Sequence, residues 1–203
     1  SGALVPLTMS DGGTIRGTNA MLYWSYNGVA SNEWVHVQFS GNGGGTWTNI
    51  ATVYADQGSV GQPWDTTLHP STGIGVWRVC TTNGAVCGQT ETLFAVKNEP
   101  LVFYVNDTDT NTLIDVYCTA PGDSGHTGLT PADPVDSAAS LFARYKIEHG
   151  DTIYVDTGVY SWSLSVSVPS SGVTTNRLVI QGSTNQAAGG SVLVPQAKPV
   201  AEA

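Results

Sequence analysis

From Glu33 to Ser40 the chain alternates, with Trp34, His36, Gln38 and Ser40 on one face and Val35, Val37 and Phe39 on the other. A period of two belongs to a strand with one buried face and is incompatible with a helix over the same residues, which needs a period near ~3.6. Gly41-Asn42-Gly43-Gly44-Gly45 follows as a flexible turn, and Thr46-Trp47-Thr48-Asn49-Ile50 continues as the opposing strand. Further strands are expected at Met21–Tyr26, Gly75–Cys80 and Glu91–Val96. Short strands with turn signals about every 8–12 residues predict an all-β sandwich over residues 1–97.

Composition points the same way and excludes two classes of function. Charged residues make up only 11% of the chain, which holds 24 glycines, a profile poor for helices and suited to short strands joined by turns. The net charge is −9, and the seven Lys and Arg are scattered, so they cannot form a stripe that tracks phosphates. Nucleic acid is therefore not an expected partner. No apolar run approaches the ~18 residues of a membrane span. An acidic, Gly/Thr/Asn-rich chain of low charge predicts an extracellular or cell-surface location. The opening Ser1-Gly2-Ala3 reads as the start of a processed or excised segment.

The three cysteines divide into a pair and a single residue. Cys80 and Cys87 flank Thr-Thr-Asn-Gly-Ala-Val, and Asn83-Gly84 is a strong hairpin signal that would set the two side chains across adjacent strands. A disulfide there fits an oxidising compartment; the alternative is two small buried thiols. Cys118 has no evident partner and is expected to be buried rather than reactive.

The string Val37-Gln38-Phe39-Ser40-Gly41-Asn42-Gly43-Gly44-Gly45-Thr46-Trp47 resembles the strand–turn–strand hairpin of bacterial immunoglobulin-like and fibronectin type III-like modules. Val76-Trp77-Arg78-Val79, with Thr-Asn-Gly after it, resembles the penultimate strand and hairpin of the same modules. The resemblance implies an immunoglobulin-like β-sandwich over residues 1–97 and says little about function.

Lys97-Asn98-Glu99-Pro100 reads as a junction, beyond which acids accumulate and Leu101–Asp107 begins a new strand. The later order is Gly128-Leu129-Thr130-Pro131-Ala132-Asp133-Pro134, a helical stretch near 136–148, then Gly150-Asp151-Thr152-Ile153-Tyr154-Val155-Asp156-Thr157-Gly158-Val159-Tyr160. That succession resembles the N-terminal entry of pectate-lyase-like right-handed parallel β-helix proteins, and it implies a second domain over residues 101–203 with one short capping helix. Asp136 is the expected N-cap and Gly150 the helix stop. Helix residues Leu141, Phe142, Tyr145 and Ile147 would then lie over the first rung. Strands are expected at Thr152–Val155, Ser163–Val168, Arg177–Gln181 and Ser191–Val194.

Candidate sites are few. Asp107, Asp109 and Asn111 offer alternating oxygens of the kind calcium uses, but Thr112-Leu113 follows where such a loop needs Gly, and Cys118 stands where it needs Glu. The segment reads as a solvated acidic loop, with a structural calcium as the alternative; no other cofactor is expected. Asn106-Asp107-Thr108 has the form of an N-glycosylation acceptor. The four histidines, at 36, 69, 126 and 149, lack metal-ligand spacing, and His149 is expected in the last helical turn, where a cation suits the dipole. Asp151 and Asp156 are assigned to turns. Of the six tryptophans, Trp24 and Trp77 are expected in the core. Trp34, on the polar face of its strand, is the candidate for carbohydrate binding, against the alternative of burial by a neighbouring domain.

No catalytic residues are assigned, because no convergent acid–base or nucleophilic set is visible and the β-helix resemblance places the family's catalytic rungs further along. The expected function is that of a non-catalytic structural or adhesive module of a secreted or cell-surface bacterial protein, self-assembling into a filament or surface layer. The alternative is a carbohydrate-binding accessory segment of a polysaccharide-degrading β-helix enzyme. Its expected partners are other copies of itself, the rest of a longer parent chain, or polysaccharide.

Overall fold

The computed structural model describes residues 2–110, 112–162 and 177–195, and these are mostly β-strand with few helices. The chain divides into two compact units, Ser1–Glu99 and Pro100–Ala203.

The first unit runs β1 (Ala3–Pro6), β2 (Thr14–Ile15), β3 (Ala20–Leu22), β4 (Trp24–Asn27), β5 (Trp34–Ser40), β6 (Thr48–Tyr54), a single-turn helix α1 (Gln57–Val60), β7 (Gln62–Trp64), β8 (Thr72–Thr81), β9 (Cys87–Gln89) and β10 (Phe94–Val96). Its larger sheet has the order β2-β10-β8-β5-β6, with β9 added beside β8. All of these pairings are antiparallel except β2 with β10. Two smaller antiparallel pairs, β1–β4 and β3–β7, supply the opposing apolar residues.

The alternation of β5 becomes burial: Val35 and Val37 are fully buried and Phe39 nearly so. They share a core with Leu4, Leu22, Trp24 and Trp64 from the small pairs and with Trp77, Val79, Phe94 and Val96 from the large sheet. Each such side chain contributes about 1.5–3 kcal/mol by leaving water. Trp24 and Trp77 meet edge to face at 6.3 Å. Their indole N–H groups donate to the Ala55 carbonyl (3.0 Å) and the Thr8 carbonyl (2.7 Å), so neither buries an unpaired donor. Gly58 lies so close to Trp24 that a Cβ would stand 2.5 Å from the indole.

The strand expected at Met21–Tyr26 is divided. Leu22 pairs toward β7 and Trp24 toward β1. Between them the Tyr23 N–H donates to the Thr8 hydroxyl, and the Tyr23 carbonyl accepts from Leu7 N–H, both at 2.8 Å. The two inward residues stay buried on either side of the break, so only the pairing partner changes. The turn after β5 is also more ordered than its glycines suggest. The Asn42 carboxamide oxygen accepts from the Ser40 hydroxyl and Thr46 N–H, each at 2.8 Å, and its amide donates to the Thr46 hydroxyl.

The second unit contains β11 (Val102–Val105), α2 (Ala138–Arg144), β12 (Thr152–Val155), β13 (Gly158–Trp162), β14 (Val179–Gly182) and β15 (Ser191–Pro195). Strands β11, β12 and β14 form one sheet, β13 and β15 another, and every one of these pairings is parallel. The register stacks like upon like: Phe103, Ile153 and Ile180 share an inward column, while Tyr104, Tyr154 and Gln181 share the outward one. Phe103 and Ile153 are fully buried. The outward Tyr104 and Tyr154 rings are 5.7 Å apart, with Tyr117 packed on Tyr154 at 4.5 Å.

The free edge of β11 is covered by the chain that precedes α2. Val105 bridges Val135 in parallel, Val135 N–H donates to the Tyr104 carbonyl, and Tyr104 N–H donates to the Gly128 carbonyl. Leu141 of α2 is fully buried, and Tyr145, just past it, packs on Phe103 at 4.8 Å.

The helix corrects four expectations. It spans seven residues rather than the region 136–148. Ser137 is the N-cap, its hydroxyl accepting from Ser140 N–H at 3.2 Å. Asp136 stands behind the cap, accepting from the hydroxyls of Ser137 and Ser140. The helix stops at Tyr145, whose backbone turns extended as its ring goes down onto Phe103. Gly150 (φ 92°) therefore serves the turn into β12 instead of ending a helix, and Arg144 rather than His149 is the cation of the last turn.

Of the later strands, the one expected at Ser163–Val168 lies outside the described residues. The next is observed at Val179–Gly182, and the last extends one residue further, to Pro195.

Candidate functional site

The outward face of β5, β6 and β8 gathers the residues most able to meet a ligand. Trp34 is 47% exposed and stands directly across from Tyr54, itself 45% exposed, with ring centroids 4.2 Å apart and planes inclined by 39°. The next row pairs His36 with Thr52, the imidazole Nδ1 lying 2.8 Å from the threonine hydroxyl. Gln38 follows, between Asn49 on β6 and Arg78 on β8. Arg78 Nε donates to the Gln38 carboxamide at 2.8 Å, and its guanidinium lies 4.0 Å over the Trp47 ring. Alternation along β5 singled out Trp34; its partner was hidden by a bulge. Pairing passes from Gln38↔Asn49 to Val37↔Ala51, so Ile50 is skipped. An unbroken ladder would have set Val53 opposite Trp34; the extra residue delivers Tyr54 instead.

Cys80 and Cys87 stand opposite each other on β8 and β9 and are joined by a disulfide. The connecting turn is set by Gly84 (φ 71°) and by Asn83, whose side chain accepts from Ala85 N–H. Cys118 is buried, and its thiol is pushed up, first by burial and then by the negative charge of Asp156, which leaves it inert.

In the acidic loop, Asp107 accepts Asp109 N–H at 3.0 Å, an arrangement in which the carboxylate folds onto its own turn. Asn111 lies outside the described residues. Among the described residues no three His, Cys, Asp or Glu side chains converge as a metal site. Asn106 is fully buried, its amide donating to the Asp115 carboxylate and the Ala120 carbonyl, so the folded chain does not present it for glycosylation. Burial raises the Asp115 carboxyl above the ordinary range; the Asn106 hydrogen bond opposes this, while the charges of Asp156, Asp107 and Asp109 add to it.

Asp156 and Asp151 carry more structure than turn residues usually do. Asp156 is fully buried, and its carboxylate accepts N–H from Val116 (2.6 Å), Tyr117 (2.7 Å), Cys118 (2.6 Å) and its neighbour Thr157 (2.7 Å). Four donors on one carboxylate compensate its desolvation and tie the loop from 115 to 118 to the end of β12. Asp151, also fully buried, accepts Leu101 N–H at 2.9 Å and Glu148 N–H at 2.7 Å, clamping the start of β11 to the turn before β12.

The remaining histidines sit in structural surroundings. His126 faces Asp133 at 3.7 Å and the Pro134 carbonyl at 3.0 Å. His69 packs against Phe39 and Trp64 at 4.9 and 5.6 Å; burial lowers its pKa, against the opposing charge of Asp65. A cleft of about 310 Å³ beside it is lined by Asn42, Thr72 and Ser71, among others, whose polar groups already bond within the fold.

No family model, no curated protein and no solved structure matches the chain.

Proposed function

We propose that the chain is a non-catalytic structural module of a secreted or cell-surface bacterial protein, an immunoglobulin-like sandwich followed by the opening turns of a right-handed parallel β-helix. In this reading the second unit is one end of a stack that further parallel layers continue, supplied by a parent chain or by other copies.

One observation carries the reading. The inward column Phe103–Ile153–Ile180 is fully buried at its first two positions and 42% exposed at the third. The parallel partner sheet ends likewise, Tyr160 being 4% exposed and Leu193, opposite it, 44%. Among the described residues the ladder ends at β14 and β15 with these inward residues half in water, an end that gains free energy when another layer covers it. The right hand is the expected one for parallel crossovers. The non-catalytic reading is supported by Asp151 and Asp156, whose carboxylates are occupied by backbone N–H groups. The Cys80–Cys87 disulfide favours an oxidising compartment.

Light scattering across a concentration series tests the assembling form of this proposal. The expected result is mass that grows with concentration for the wild-type chain and falls back for Ile180→Asp and Leu193→Asp. A concentration-independent monomer for the wild type removes self-assembly.

A further inference from the structure

We propose that the outward face of β5, β6 and β8 binds a neutral polysaccharide, with the Trp34–Tyr54 pair as the platform on which a sugar ring stacks.

Three features of the face select this occupant. The first is the exposed pair of rings: two large aromatics lean on each other at 4.2 Å and 39°, each still almost half open to water, so the uncovered ring faces are available for stacking. The electron-rich faces of Trp and Tyr favour the polarised C–H patch of a pyranose, and their rigidity keeps the ordering cost of binding small. The second is the row structure beyond the pair. His36 with Thr52 and then Gln38 with Asn49 continue the same face; beyond the bonds they make among themselves and with Arg78, the second imidazole nitrogen of His36, the Gln38 amide nitrogen and the Asn49 carboxamide oxygen are left to meet hydroxyl groups. Hydroxyl groups need such directional partners. From Trp34 to Gln38 the strand advances roughly 13 Å, and Trp47 under Arg78 stands at the far end. A linear chain lying along β5 would stack at the Trp34–Tyr54 pair and run over the polar rows toward Arg78, whose guanidinium covers the Trp47 ring.

Charge decides between classes of glycan. Strands β5, β6, β8 and β9 contain no Asp or Glu. Their one fixed charge is Arg78, held between Gln38 and the Trp47 ring. A polyanionic glycan would find a single, occupied cation on a chain of net charge −9 and be repelled at longer range. A neutral chain meets no such penalty.

The experiment is affinity electrophoresis of the full chain in gels containing barley β-glucan, xyloglucan, galactomannan or polygalacturonate, together with depletion on cellulose and chitin. At least one neutral probe is expected to retain the wild-type chain. Trp34→Ala and Tyr54→Ala are each expected to weaken that retention on the order of tenfold, and Trp34→Phe to restore most of it. Melting curves of the variants, expected to match the wild type within a few degrees, check that the fold is kept. Three results overturn the proposal: no retention by any neutral probe, retention unchanged in both alanine variants, or strongest retention by polygalacturonate. The platform belongs to the first unit and the open stack to the second, so light scattering on the same samples separates the two proposals.

Discussion

In the second unit one inward column runs Phe103, Ile153, Ile180, and among the described residues its two ends are finished differently. At the first end the backbone of β11 is bonded by the chain from Gly128 to Val135, while Leu141 and Tyr145 shut the column from water. At the last, Val179, Ile180, Val192, Leu193 and Val194 are all between 42% and 45% exposed. The chemistry of the column is the same at both ends, so apolar side chains alone do not close a parallel stack. Closure takes a separate segment that brings its own backbone donors and acceptors as well as side chains, and among the described residues that segment stands at the first end.

The comparison can be broken most severely in the joint between layers. Asp156→Ala leaves four N–H groups, two of them buried, without their acceptor and is expected to lower stability by about 2–4 kcal/mol, read from urea unfolding. A loss under ~1 kcal/mol would mean that the loop from 115 to 118 holds itself in place. Next come the ends themselves. Leu141→Ala at the covered end is expected to cost ~2–4 kcal/mol, whereas Ile180→Ala at the open end should cost less than half as much. Equal losses would show that the open end is covered in solution.

Smaller effects set the second unit against the first. Reducing the Cys80–Cys87 bond, which closes a short loop between neighbouring strands, is expected to destabilise the first unit by at most ~2.5 kcal/mol and to leave the Leu141 and Ile180 effects unchanged. Acid should move the units in opposite directions. Burial lowers the pKa of His69, so its contribution is present above the ordinary histidine value and is lost as pH falls through the folded value. The carboxyl of Asp115 is raised, so its ionisation in the folded state opposes stability at neutral pH, and that penalty is relieved as pH falls through the folded value. Melting between pH 7 and pH 4 is expected to lose the His69 part of its slope in His69→Gln and the opposite part in Asp115→Asn. The same slope in both variants as in the wild type would assign the pH response to other groups.

Much of this was legible in the residues. Alternation in Trp34–Phe39 gives the buried set and leaves Trp34 outside, but it fails at Ser40, which it assigns to the outer face and which is buried; Thr152–Val155 is a strand at the expected bounds. Apolar spacing predicts a longer helix than forms, because it continues past Arg144 through Tyr145 and Ile147 while the helical backbone does not. Its stop depends on the Tyr145 ring finding Phe103, a contact between residues far apart in sequence. The same limit hid the importance of Asp156: a carboxylate after a strand reads as a turn residue until a loop some forty positions earlier turns its N–H groups onto it.

What the sequence determined by itself was which side chains face inward, since period and polarity are local properties of the chain. Which residue stands opposite which was decided only by the tertiary structure. One skipped residue at Ile50 sets Tyr54 rather than Val53 against Trp34, and a bulge leaves no mark in hydrophobic periodicity that could be read beforehand. The candidate surface is therefore half a matter of pattern and half of register. Register is settled by pairing across strands, where the energies of many distant contacts are summed together.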